Sequence, residues 1–404
     1  MVVFYVFIFL LFRYCDEKCL LLHIVHPLVF NPKMQNCCKN TKSSEKFEVS
    51  EVFLQILEQI NQSERPKTYA EAINFLVSRL NISDICGNHL KVFDLSADYM
   101  NGIIDFGGGD VMVKISEALK EAAISSVAEE IAVHAKVRSV LIAGPSSSGK
   151  TTFCKKLTYA LQQQGLHPVS FSLDDYYVDG DRAPKDEDGK PDWESIYALD
   201  LPLLQEHIAT LLSGGAVRLP RYDFMSGKSL LTDKTLQLQD DNILLMEGIH
   251  ALNPLLLQGA DAPADNFFRV YISALTTYRD YDGEIFPTTD NRLIRRIVRD
   301  SQFRNASARQ TLSRWDSVRR GEEKWIVPFQ KYADVNINSA YQYEYGLLRA
   351  HALPLLEMVE QGEPEYCEAQ RLIRLLHRYH PISVDYLPPY SLLREFLGGS
   401  AYEY

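Results

Sequence analysis

Two periods of apolar spacing run through this chain and divide it into elements. Val140-Leu-Ile-Ala143 is an unbroken apolar run that predicts a buried strand, Asn242–His250 reads the same way, and His167–Leu173 reads as a strand. Between them the period becomes helical. Phe153 to Gln164 is a helix closed by Gly165, and a second runs from Asp200 to about Leu212. Upstream, Val111 to Lys136 carries an alanine-rich face, with Asp110 placed to cap it. Shorter amphipathic helices are predicted at 51–62, through Phe53, Ile56, Leu57 and Ile60, and at 69–80. Leu90 to Phe93 is strand-like, and Gly107 to Gly109 is a turn. Arg218 to Leu238 alternates polar and apolar around Ser226-Gly227, which predicts a β-hairpin. Buried strands alternating with helices imply an α/β fold: three layers, αβα, around a parallel sheet.

The first residues stand apart. Met1 to Phe12 is apolar until Arg13, about twelve residues and too short for a membrane span. It lacks the basic start and small-residue cleavage site of a signal peptide. A second apolar run, Cys19 to Phe30, is broken by His23, His26 and Pro27. An anchor, a targeting segment or residues ahead of a start at Met34 all fit, and residues 1–33 are expected outside the fold. Asn36 to Lys46 is a polar linker.

The 404 residues carry a formal net charge of −11, which argues against nonspecific nucleic-acid binding and makes local basic clusters informative. The seven cysteines include no CxxC pair, and four of them (Cys15, Cys19, Cys37, Cys38) crowd the N-terminus. A disulfide framework or zinc site is therefore not expected, and a reducing, cytoplasmic setting is.

Chemistry enters at Leu141 to Thr152. Gly144, Gly149, Lys150 and Thr151 have the spacing G-x-x-x-x-G-K-[ST], after a strand and before a helix. Backbone N–H groups across Gly144, Pro145, Ser146, Ser147, Ser148, Gly149, Lys150, Thr151 and Thr152 would cradle phosphates at the positive end of the helix dipole. Lys150 would reach the β- and γ-phosphates, and Thr151 would sit on Mg²⁺. The strand at 167–173 ends in Asp174-Asp175-Tyr176-Tyr177, beyond a sheet's carboxyl edge, where ligands bind. A carboxylate there can take a proton from an attacking hydroxyl or bind metal, and a capped turn accounts for the pair equally well. Glu247 closes the third strand as an acid beside the metal. Arg292, Arg295, Arg296 and Arg299 follow i, i+3, i+4, i+7, one helix face. With Arg304, Arg309, Arg314, Arg319, Arg320 and Lys324 they suggest a helical lid that clamps phosphate and excludes water.

These stretches resemble the uridine kinase/phosphoribulokinase family. GPSSSGKTTF, SLDDYY, ALDLPLL, LPRYDF, LLMEGIH, TTDNRLIRRIVRD and FQKYADVNINSA occur in the family's order across roughly 137–340. The chain is most similar to bacterial-type nucleoside kinases that carry a region like the N-terminal part of threonyl-tRNA synthetase, and SLLREFLGGS resembles their C-terminus. The resemblance implies ATP- and Mg²⁺-dependent transfer of a γ-phosphoryl group to a nucleoside 5′-hydroxyl, most simply that of uridine. It makes Asp174 the base, with Lys150, Arg296 and Arg299 the other catalytic groups. It places Tyr177, Glu194, Tyr222, Arg292 and Arg296 at substrate, and Thr151 and Glu247 at the metal. Two positions depart from the pattern: Gly227 stands where pyrimidine kinases have a histidine, and Ala306 where they have an arginine.

The implied layout is a leader (1–45), a mostly helical region (46–136), a P-loop kinase domain (137–340) and a helical extension (341–404). Partners are ATP and a small nucleoside, with no nucleic acid and no membrane contact unless residues 1–30 are retained. A homo-oligomer is compatible with the sequence. A phosphoribulokinase-like, sugar or vitamin kinase is the alternative, and a non-catalytic nucleotide-binding or RNA-associated module is a further one.

Overall fold

The structure, a computed structural model, describes residues 85–87, 93–95, 97–279 and 285–403. The leader and the helices expected at 51–62 and 69–80 lie outside the described residues. Eleven strands are described: β1 (Cys86–Gly87), β2 (Phe93–Leu95), β3 (Ser139–Ala143), β4 (His167–Ser172), β5 (Ala216–Asp223), β6 (Lys228–Gln237), β7 (Asn242–Glu247), β8 (Phe267–Ser273), β9 (Thr276–Arg279), β10 (Ile285–Phe286) and β11 (Val335–Asn338). The main sheet has the order β1-β11-β8-β3-β7-β4. Its neighbours are parallel except β1, which pairs antiparallel with β11 at one edge.

β3 is central, and all five of its residues are buried. A strand covered on both faces needs no polar alternation, which is why it reads as a continuous apolar run. Its side chains still part by period two. Val140 and Ile142 join one apolar cluster, with helices α2 (Gly109–Val133) and α3 (Lys150–Gln163). Leu141 and Ala143 join another, with α4 (Leu201–Leu212) and the Leu173–Tyr176 3-10 turn. These clusters are the two interfaces of the αβα sandwich.

α4 starts where expected, Asp200 accepting from the Leu203 N–H at 3.3 Å. α2 does not: its N-cap is Gly108, and Asp110 lies in the first turn, where it accepts from Lys114 at 3.2 Å. The upstream strand is shifted, to Phe93–Leu95. The hairpin β5–β6 turns at 224–227, and Gly227 takes φ 68°, a left-handed conformation that glycine adopts without cost.

Helices α5 (Thr289–Phe303) and α6 (Ala308–Trp325) carry the arginine-rich stretch that the sequence pointed to as a lid, and a full capping box at Ser307 and Gln310 opens α6. The C-terminal extension contributes α7 (Glu344–Glu357), α8 (Tyr366–His377) and the single turn α9 (Arg394–Leu397). Together with α1 (Ala97–Asp105) and α2 it shares the first cluster with the sheet, so these segments pack into one core. Among the described residues no helix is long and apolar enough to cross a membrane.

Candidate active site

Residues 144–149 link β3 to α3, and two glycines there are fixed by space. A Cβ on Gly144 would fall 2.0 Å from the Ile272 carbonyl oxygen of β8. On Gly149, at φ 87°, it would fall 2.4 Å from Leu392. Lys150 is buried and bends back over the loop, donating to the Pro145 carbonyl at 3.2 Å. Burial pulls its pKa down, while the charges of Asp174 and Glu247 oppose that shift.

The sheet register gathers the acids beside this loop. Glu247 ends β7, paired with Ile142 of β3 on one side and Ser172 of β4 on the other. Its Oε1 accepts from Ser172 Oγ at 2.7 Å and from Thr151 Oγ1 at 3.4 Å. Burial first, then the charge of Asp174, pushes its pKa up to about 7. Ser172 Oγ also accepts from the Asp174 N–H at 3.2 Å, which sets the turn that carries Asp174. The adjacent aspartates then diverge. Asp174 is close enough to Lys150 and Glu247 to shift both, whereas Asp175 Oδ1 accepts from the Tyr222 N–H of the hairpin at 3.4 Å.

Among the described residues no group of three or more His, Cys, Asp or Glu is placed to hold a metal ion. One hydroxyl and one or two carboxylates are instead the kind of protein share that Mg²⁺ takes when phosphate and water complete its shell. Thr151, Glu247 and Asp174 fit that description.

Close to Asp174 and Glu194, whose charges act on Tyr177, is an aromatic wall. Tyr177, Trp193, Tyr222 and Phe224 pack ring on ring, with centroids 5.0–6.3 Å apart. Tyr177 Oη donates to the Trp193 carbonyl at 3.1 Å, and the Arg304 guanidinium lies 4.3 Å from the Phe224 ring centroid. Glu194 is buried nearby, its pKa raised to about 7 by burial despite Arg296, whose Nη1 is 3.9 Å away. Gly321 of α6 makes the room: a Cβ there would come within 2.4 Å of the Glu194 Cβ. Spacing did not single out Trp193 as part of this wall. Its place next to Glu194 in a charged loop was the available signal.

The four arginines of α5 share a face, but it is turned inward. The motif points Arg292 at substrate; the structure commits its fork to Glu322, at 2.5 and 2.8 Å, and one Nη1–H to the Ser146 carbonyl at 3.1 Å. Arg295 is fully buried, paired with Glu344, and donates to the Ser147 carbonyl at 3.3 Å. Like charges on one face are thereby compensated by two distant acids, and the guanidinium groups grip the loop's backbone. Arg296 reaches Ser146 Oγ at 3.0 Å, and Arg299 holds Asp300 Oδ1 at 2.7 and 2.9 Å. Their partners Asp300, Glu322 and Glu344 were missed from sequence. So was Glu395, whose carboxylate meets Thr152 at the start of α3.

Comparison with known proteins covers the same part of the chain. Residues 140–344 match the model of the Phosphoribulokinase / Uridine kinase family. A uridine kinase of Lactobacillus johnsonii is 30% identical over 195 residues, 48% of this chain and 82% of that protein. One from Staphylococcus aureus is 30% identical over 198 residues, 48% and 84% of the two chains. One from Ureaplasma urealyticum is 27% identical over 199 residues, 49% and 86%. A solved structure of a possible uridine kinase from Bacillus stearothermophilus aligns with 22% identity and a TM-score of 0.32, covering 50% of this chain and 89% of that one. The likeness of the upstream region to threonyl-tRNA synthetase has no support in these matches. Phosphate loop, strand-end acids and family model fall on one stretch, and by that match the chain belongs to the phosphoribulokinase/uridine kinase family of kinases.

Proposed function

We propose that this kinase transfers the γ-phosphoryl group of ATP to the 5′-hydroxyl of a nucleoside, with uridine the first acceptor to test. The observation that carries this reading is the convergence on one sheet edge of the loop after β3, Glu247 at the end of β7 and Asp174 just beyond β4. In the proposed step Asp174 accepts the acceptor's hydroxyl proton, the oxygen attacks the γ-phosphorus, and the bond to the β–γ bridging oxygen breaks to release ADP. Lys150, Arg296 and Arg299 offset charge on the transferred group. Thr151 and Glu247 would hold Mg²⁺, which when bound neutralises charge on the β- and γ-oxygens.

On the acceptor side, the rings of Tyr177, Trp193 and Tyr222 offer flat apolar faces that suit a base. Glu194 lies beside Arg296, and its carboxylate is suited to accept from paired ribose hydroxyls. Gly227 removes a side chain from the hairpin turn; its Cβ would meet only the Tyr222 hydroxyl, at 3.8 Å, so the base edge is read by other groups.

The test is a panel of hydroxyl acceptors incubated with ATP, with ADP and phosphorylated product measured together. Uridine or cytidine turned over well ahead of sugars and sugar phosphates is the expected result. Preference for a sugar phosphate would move the assignment to the phosphoribulokinase branch. ATP bound without transfer to any hydroxyl would favour a non-catalytic module.

A further inference from the structure

The C-terminal segment reaches the phosphate-binding end of α3. The first N–H groups of a helix have no partner within it, and the N-cap here, Gly149, has no side chain to offer one. A carboxylate 243 residues away takes that place. Glu395 Oε2 accepts from the Thr152 N–H at 3.1 Å and from the Thr152 hydroxyl at 2.6 Å.

The contact is held from several sides. Leu392 is buried and occupies the space that a Gly149 Cβ would need. Ser391 Oγ donates to the buried Glu117 at 2.5 Å. Arg394 donates to the carbonyls of Leu387, at 2.7 Å, and Val384, at 3.2 Å. The Phe396 ring lies under the Arg295 guanidinium, 5.2 Å from its centroid. These ties fix the backbone of the turn α9, which sets the Glu395 side chain beside Thr152.

In a phosphate loop the N–H groups at this helix end serve the α- and β-phosphates. A carboxylate and a phosphate oxygen are both anionic acceptors, and they compete for the same donors. We propose that Glu395 is a built-in rival of nucleotide phosphate: it caps α3 in the nucleotide-free protein and must leave Thr152 for ATP to use that N–H and hydroxyl. The inference rests on reading residues 144–152 as the ATP site. It makes the C-terminal extension a brake on nucleotide affinity.

The experiment uses the full chain as wild type, Glu395→Gln and Glu395→Ala. Binding of ATP and of inorganic tripolyphosphate is measured by calorimetry, and the melting temperature is read without ligand. Glu395→Gln keeps a neutral acceptor for Thr152, so its melting temperature should stay near wild type while both ligands bind about tenfold tighter. Glu395→Ala should also bind tighter and melt lower, having lost the cap. Folded variants whose affinity for both ligands is unchanged or weaker would overturn the proposal and leave Glu395 a structural cap. Wild type that binds neither ligand would overturn the loop reading and the inference with it. Tighter binding by Glu395→Gln without transfer to any hydroxyl would sustain the inference while removing the acceptor reading.

Discussion

Glu194 shows how much a single residue's surroundings decide. Its sequence context is a charged loop, yet it is buried, with a pKa of about 7 against an ordinary 4.5. The folded state therefore holds its proton more tightly than the unfolded chain does. Its linkage lowers stability as pH rises from about 4.5 to about 7 and is flat above that. Melting curves of wild type and Glu194→Gln across this window should diverge, with the slope from this group missing in the variant. If the ionised carboxylate receives the acceptor's hydroxyls, the acceptor KM should fall as pH rises through about 7, and Glu194→Gln should flatten that profile. A profile unchanged by the substitution would remove Glu194 from the acceptor site. Gly144 makes a steric claim at the same scale. Gly144→Ala sets a methyl 2.0 Å from a backbone oxygen of β8, so β3 and β8 must part locally. A loss of about 1–3 kcal/mol in denaturant unfolding is expected, with ATP binding impaired. Motif spacing made these loop glycines legible. It could not say that β8 is the neighbour that forbids a side chain at Gly144.

At the scale of elements, α5 separates what spacing shows from what it hides. The i, i+3, i+4, i+7 arginines were readable, and so was the inference that such a face needs anions. Which anions answer was not, because Glu322 and Glu344 lie 30 and 49 residues further along the chain. Removing one partner of a buried pair strands the other charge, so Glu344→Gln should cost about 3–5 kcal/mol in unfolding free energy. Arg309, half exposed and paired with Glu363 and Glu365, provides the contrast: Arg309→Ala should cost about 0–1 kcal/mol. Equal effects would contradict the assignment of Arg295 as a buried strut for the phosphate loop. Helix α2 teaches the same lesson in small. Asp110 has the right residue type for a cap, but the N-cap falls two residues earlier, at Gly108, and the acid takes a first-turn position where the helix dipole still favours it.

For the whole molecule, the buried strands β3 and β7 and the hairpin were plain in the pattern because each is either continuously apolar or alternating around a glycine turn, whereas β4, at the sheet edge, mixes His167, Ser170 and Ser172 with its apolar residues. β8 carried a usable signal in Phe267-Phe-Arg-Val-Tyr-Ile, whereas the antiparallel edge strand β1 is too short to have one. Strand order is a tertiary fact, and it creates the site by bringing Ile142, Glu247 and Ser172 into register. The return of the C-terminus to α3 was equally hidden, since Glu395 and Thr152 are far apart in sequence and ordinary in type. Single-turnover phosphorus NMR of wild type and Asp174→Ala with ATP and uridine tests the central claim most directly. Wild type should convert uridine and ATP to a nucleoside 5′-monophosphate and ADP. Asp174→Ala should bind ATP as tightly yet turn over roughly 10²–10⁴-fold more slowly. Near-normal turnover by Asp174→Ala, or no phosphorylated nucleoside from wild type, would contradict the account.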